Sequence, residues 1–196
     1  KDEARILVRN ALRAVNFYGA ERMIRINQSE RGLEDLEALI PHNVQLVLIP
    51  KCENAETVQT VDQKIREIKA REGQSQTVFL MPIIESAAGV EHAMEIATAS
   101  GSVVAMAIGL EDYTADLGVQ RTKEGKESLY ARSRLVVAAR AAGIQPIDSV
   151  FSDVGDMEGQ LQNRSEERRV GNEWRSRWSQ YHYKKNKTQY TRRMQY

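Results

Sequence analysis

The sequence predicts an α/β protein built around a parallel sheet, and three observations carry that expectation. Short apolar runs such as VQLVLIP (44–50), TVFLMPII (77–84) and SVVAMAIG (102–109) read as strands buried on both faces. They alternate with longer segments whose apolar residues recur at helical spacing, which means βαβ units. Polar or charged residues gather just after the strand candidates: Asn27, Lys51 with Glu53, Glu85, Asp112 and Asp153. Parallel α/β folds build their sites at that end.

Taken in order, DEARILVRNALRAVNFYG (2–19) spaces Leu7, Ala11, Ala14, Val15 and Tyr18 as one helix stripe. RMIRIN (22–27) is a short branched strand, and SERGLEDLEALI (29–40) is a helix with Leu33, Leu36 and Ile40 on one face. After VQLVLIP, Asn54 is placed to cap a helix with the stripe Val58, Val61, Ile65 and Ile68, stopped at Gly73. A helix bearing Val90, Ala93, Met94 and Ala97 and ending near Gly101 separates the next two strands. GKESLYARSRLVVAARAAG (125–143) is a helix closed by Gly143, and IQPIDSVF (144–151) is a fifth strand. An open doubly wound sheet and a (β/α)8 barrel both fit this alternation. A barrel needs eight strands and the chain opens inside a helix, so either the sheet is open or the chain is a piece of a barrel.

The formal net charge of +1 hides a split. Residues 1–159 hold 18 Lys and Arg against 24 Asp and Glu, whereas 160–196 hold 10 against 3, an acidic body with a basic tail. The expected organisation is therefore a domain over 1–159 and a separate tail over 160–196. The tail carries both tryptophans and four of the seven tyrosines, with no helical or strand period. A nucleic-acid-binding arm and a disordered cationic tail are both readings of such a segment. A third fits best: RSEERRVGNEWRSRWSQYH (164–182) resembles the translation of a common sequencing-adapter DNA, differing at Asn172, Trp174 and Gln180. That excludes the tail from the fold and leaves no nucleic-acid partner. No apolar stretch approaches the roughly 18–20 residues of a membrane span. The single cysteine, Cys52, and the charged opening KDEAR lead to the expectation of a reducing, cytoplasmic setting.

Dinucleotide, P-loop, HExxH and GxSxG motifs are all lacking, and His42, His92 and His182 form no constellation. Cys52 reads as a small packed residue. What remains are carboxylates. Glu111 and Asp112 follow a buried strand with no cation beside them in sequence, and Glu85 lies one βα unit earlier. Side chains at the ends of neighbouring strands can converge, and two such carboxylates require either a proton or a shared cation. Mg²⁺ suits the pair because it takes hard oxygen ligands and commonly uses one or two carboxylates. The plainer alternative is that each acid caps the helix that follows it. Arg25, between Ile24 and Ile26, is either one half of a structural salt bridge or a guanidinium for a substrate carboxylate.

The segments IRIN (24–27), IPKCENA (49–55), IIESAAGV (83–90), AIGLEDYTADLG (107–118) and AARAAGIQPIDSVFSDVGDMEG (138–159) together resemble the citrate lyase β-subunit family of the HpcH/HpaI aldolase group. The resemblance runs from residue 1 to about 159. It implies a (β/α)8 TIM barrel of the phosphoenolpyruvate/pyruvate type, present here as an incomplete fragment of about five strands, and Mg²⁺-assisted carbon–carbon cleavage. The family's RxN arginine falls on Arg25, a catalytic and substrate-binding position. The glutamate of E-[TS]-x-x-G falls on Glu85, a catalytic position and a metal ligand that also meets substrate. The aspartate of G-x-E-D falls on Asp112, the second metal ligand, which leaves Glu111 at the helix start. The glutamate of PKxE falls on Glu53, a weaker substrate-binding candidate. The resemblance also places a first strand before KDEAR and two more after MEG, so the given chain is expected to be truncated at both ends and inactive if so. The expected reaction is retro-Claisen cleavage of a citryl thioester, on acyl carrier protein or CoA, to oxaloacetate and an acetyl thioester. The expected partners are further copies of the chain and the α and γ subunits of a citrate lyase. Malyl- or citramalyl-CoA cleavage, or a pyruvate-type aldolase on the same fold, is the runner-up; a non-catalytic fragment with a nucleic-acid-binding tail is the alternative from another class.

Overall fold

The computed structural model describes residues 2–122 and 124–149. The proposed boundary at 159, Asp153, the basic tail and the end of the predicted fifth strand lie outside these residues. The chain alternates helix α1 (Asp2–Ala14), β1 (Met23–Arg25), α2 (Ser29–Leu39), β2 (Leu46–Ile49), α3 (Ala55–Arg71) and β3 (Phe79–Ile84). It continues with α4 (Ala87–Glu91), α5 (Ala93–Ala97), β4 (Ala105–Ile108), α6 (Leu110–Asp116), α7 (Leu129–Ala141) and β5 (Gln145–Ile147).

All strand pairs are parallel and the spatial order is β1-β2-β3-β4-β5. The register runs Ile24–Val47–Leu80 across the first three strands and Ala107–Ile147 across the last pair. A doubly wound sheet reverses its strand order at a switch point. This sheet does not, and its helices pack on one face. Ile24, Val47, Ile49, Leu80, Ile84, Met106 and Ile108 point to that face and form one core with Leu36, Ile65, Ile68, Ile96 and Leu135 from the helices. The opposite face gathers Leu46, Met81, Ile83, Ala105 and Ala107 into a second, smaller cluster. A singly wound parallel sheet with helices outside and side chains stacked inside is the architecture of a (β/α)8 barrel, here five successive strands of one.

The predicted elements hold with informative differences. Asn54 caps α3, its Oδ1 accepting from Thr57 N at 2.9 Å, and Val58, Val61, Ile65 and Ile68 are all buried. The helix predicted before Gly101 is two short ones parted at His92, whose Nδ1–H donates to the Glu53 carbonyl at 2.8 Å. In α1 the predicted stripe is overturned: Leu7, Val15 and Tyr18 are exposed, Leu12 alone is buried, and the helix stops at Ala14. The helix turns its charged side inward because Arg5 finds carboxylates there. Its Nε donates to Asp35 Oδ1 at 2.6 Å and its Nη2 to Glu34 Oε2 at 2.7 Å.

Candidate active site

The site begins where β3 ends. Glu85 follows Ile84, and Ser86 caps α4 by accepting from Gly89 N at 3.2 Å. Gly89 is required by close approach: a Cβ there would lie 2.7 Å from the carbonyl oxygen of Cys52. Cys52 N in turn donates to Ile83 O at 3.0 Å. The E-S-x-x-G segment is thus a fastening that locks the β3–α4 turn onto the loop after β2 and sends Glu85 across the sheet. Neither acid caps a helix: Ser86 and Gly109 occupy the N-cap positions of α4 and α6.

Glu85 Oε2 accepts from the backbone N–H of Lys51 at 2.7 Å. Lys51 has φ +47°, the left-handed region, and this turn of the chain aims its N–H at the carboxylate. On its other side Glu85 lies over Gly109, where a Cβ would stand 2.6 Å from Oε1 and 2.7 Å from Cγ. Asp112, in the first turn of α6, accepts from Lys51 Nζ at 3.0 Å. Lys51 and Asp112 are half-exposed. The hydrogen bond that the ammonium donates to Asp112, then the charge of Asp112, and more weakly the charges of Glu85 and Asp116, raise the Lys51 ammonium above the ordinary lysine value. The carboxylates that lack a neighbouring cation in sequence therefore have one in space, contributed by a residue 34 positions before Glu85. Glu111 stays at the start of α6, with Arg121 Nη1 at 2.5 Å.

Arg25 stands on the inner face of β1, exposed, with Ile24 and Ile26 buried on the opposite side. It makes no hydrogen bond or ion pair among the described residues, so the structural salt bridge is absent there and the guanidinium is available. Just beyond it, Asn27 is fixed by Asp35, whose Oδ2 accepts from Asn27 N at 2.8 Å and Nδ2 at 2.7 Å. Burial alone would raise the Asp35 carboxyl, but the bonds from Arg5 and Asn27 outweigh it and hold the group below the usual carboxylate range. A cavity of about 440 Å³ opens beside Lys51 between the loops after β1 and β2, although Glu85 and Asp112 lie outside its lining. Glu53 is exposed and joins the structure through its carbonyl, so its carboxylate is not brought into the Glu85–Lys51–Asp112 group. Cys52 is buried, and burial pushes its thiol up to about 12, as a packed residue requires.

Lys51 and Gly109 are the two residues the sequence reading left without a role. Both lie within the segments that carried the resemblance, IPKCENA and AIGLEDYTADLG, and that was the available signal. Among the described residues no group of three or more His, Cys, Asp and Glu could hold a metal. A two-carboxylate site is what Mg²⁺ commonly uses, with waters and substrate oxygens completing its shell.

The HpcH/HpaI aldolase/citrate lyase family model matches residues 1–177, beyond the 159 at which the resemblance was placed. Citrate lyase subunit beta of Haemophilus influenzae is 38% identical over 174 residues, covering 87% of this chain and 60% of that protein. The human mitochondrial citramalyl-CoA lyase is 32% identical over 184 residues, covering 87% of this chain and 54% of the relative. Among solved structures, the citrate lyase beta subunit of Mycobacterium tuberculosis complexed with oxaloacetate and magnesium superposes with a TM-score of 0.66 at 29% identity. That match covers 83% of this chain and 70% of the other. The chain thus spans little more than half the length of the curated relatives it matches, and it belongs to the HpcH/HpaI aldolase/citrate lyase family.

Proposed function

We propose that the protein is a Mg²⁺-dependent carbon–carbon lyase that cleaves a citryl thioester to oxaloacetate and an acetyl thioester. The observation that carries this reading is the meeting of Glu85 and Asp112 on Lys51 at the carboxyl end of adjacent strands, with Arg25, unpaired among the described residues, at the same end of the sheet. Relatives named citrate lyase subunit beta support it, and a neighbour complexed with oxaloacetate and magnesium supports both product and metal.

Glu85 and Asp112 would hold the metal. When bound, Mg²⁺ supplies Lewis-acid stabilisation of charge on the substrate hydroxyl and keto oxygens. Arg25 holds a substrate carboxylate through paired N–H donors and offsets negative charge as the bond breaks. The hydroxyl loses its proton, the carbon–carbon electron pair passes to the thioester fragment as an enolate, and a proton taken up there gives the acetyl thioester. Gly109 and the Lys51 N–H keep the Glu85 carboxylate in one orientation through the cycle. Glu53 has a lesser part, at the substrate's periphery.

The test is cleavage of citryl-CoA and citryl-acyl carrier protein by the full-length protein. Asp112→Ala, or EDTA with the unaltered protein, is expected to remove activity; turnover surviving Asp112→Ala in EDTA would reject the metal role. The 32% identity to a citramalyl-CoA lyase favours a second substrate, and product analysis with citramalyl- and malyl-CoA separates the two. The reading carries with it α and γ subunits of a citrate lyase as partners, a cytoplasmic location, and a catalytic part confined to 1–159. Co-purification tests the first, fractionation the second, and the source DNA across codons 160–196 the third.

A further inference from the structure

We propose that Lys51 is a built-in counter-cation of the carboxylate pair, which a divalent metal must exchange off Asp112 before it can bind both ligands. The inference rests on the reading of Glu85 and Asp112 as metal ligands. Lys51 makes two different bonds: its backbone N–H to Glu85 at 2.7 Å and its ammonium to Asp112 at 3.0 Å. The first is part of the chain and stays in place. The second ends a flexible four-carbon stem in a half-exposed position, so it is the one that can let go.

The backbone conformation sharpens the point. With φ +47°, position 51 is one that glycine adopts without steric cost, and glycine would present the same N–H to Glu85. The lysine side chain is therefore accounted for by what it reaches, which is Asp112. A metal at about 2.1 Å from an Asp112 oxygen would put two cations side by side on one carboxylate, and they repel. The ammonium and the metal thus compete for the same carboxylate. In the metal-free site the lysine offsets one of the two negative charges of a pair of acids that would otherwise repel more strongly. In the loaded site its ammonium is released beside Glu85 and Asp112, free to meet an anionic oxygen of the substrate.

The experiment is calorimetric titration of the full-length protein with Mg²⁺, repeated with Mn²⁺ by electron paramagnetic resonance. Lys51→Met and Lys51→Gly both remove the ammonium, and the glycine variant also removes the backbone cost. Each is expected to bind metal about fivefold more tightly than the unaltered protein. Lys51→Arg keeps a cation and is expected to stay near the unaltered affinity. Equal or weaker binding in both Lys51→Met and Lys51→Gly, or tightened binding in Lys51→Arg as well, would overturn the exchange. Asp112→Asn is expected to lose metal binding; unaltered binding there would sink the ligand assignment itself, a failure distinct from that of the exchange.

Discussion

Glu85 reaches Lys51 only because position 109 has no side chain. Gly109→Ala would place a methyl 2.6 Å from Oε1 and 2.7 Å from Cγ of Glu85, so the whole end of that side chain must move. The expected result is a folded protein, by circular dichroism, with metal-dependent turnover reduced about 100-fold, the usual consequence of shifting a reacting group by an ångström. Asp35 acts on stability in a different way. Its carboxyl is held low in the folded chain, so its contribution is present above the ordinary carboxylate range and is lost as pH falls through that range toward the lower folded value. Asp35→Asn is expected to lose about 2 kcal/mol at neutral pH, because one carboxylate oxygen serves Arg5 and the other serves Asn27, and asparagine keeps only one acceptor and no charge. Its urea-unfolding stability should also change less than that of the unaltered protein as pH drops below about 4.

At the scale of elements, the turn after β3 carries the most information per residue. Ser86 starts α4, Gly89 lets that helix touch the Cys52 carbonyl, and the two together aim Glu85. Gly89→Ala would meet backbone rather than a flexible side chain, so α4 must lift. The expected cost is about 1–3 kcal/mol in denaturant unfolding, together with weaker metal binding. The strands were legible in the sequence because parallel strands covered on both faces are continuous apolar runs, and α3 because its stripe and its Asn54 cap agree. Helix α1 was misread because periodicity counts apolar residues and cannot see that Arg5 has a carboxylate waiting on α2. Glu85 and Asp112 were readable as a pair from one-unit spacing. Lys51 was not, since its role depends on a left-handed backbone and on a contact with Asp112 that crosses the intervening strand β3.

For the whole molecule, the sheet is ordered as the chain is ordered: β1 beside β2, then β3, β4 and β5. The two faces divide the labour, the outer one packing helices and the inner one stacking Leu46, Met81, Ile83, Ala105 and Ala107 beneath the site. Composition and alternation gave the layers but left open sheet and barrel undecided, because the strand order that separates them is invisible to local pattern. That order also bears on how the protein is made. Each strand pairs with the one finished just before it, as Val47 does with Ile24 and Ile147 with Ala107. Among the described residues, none of these five strands has to wait for a later segment to be threaded between partners already joined. The arc can grow on the ribosome one unit at a time, from β1 toward β5, each new helix closing over the strands beneath it as it leaves the exit tunnel.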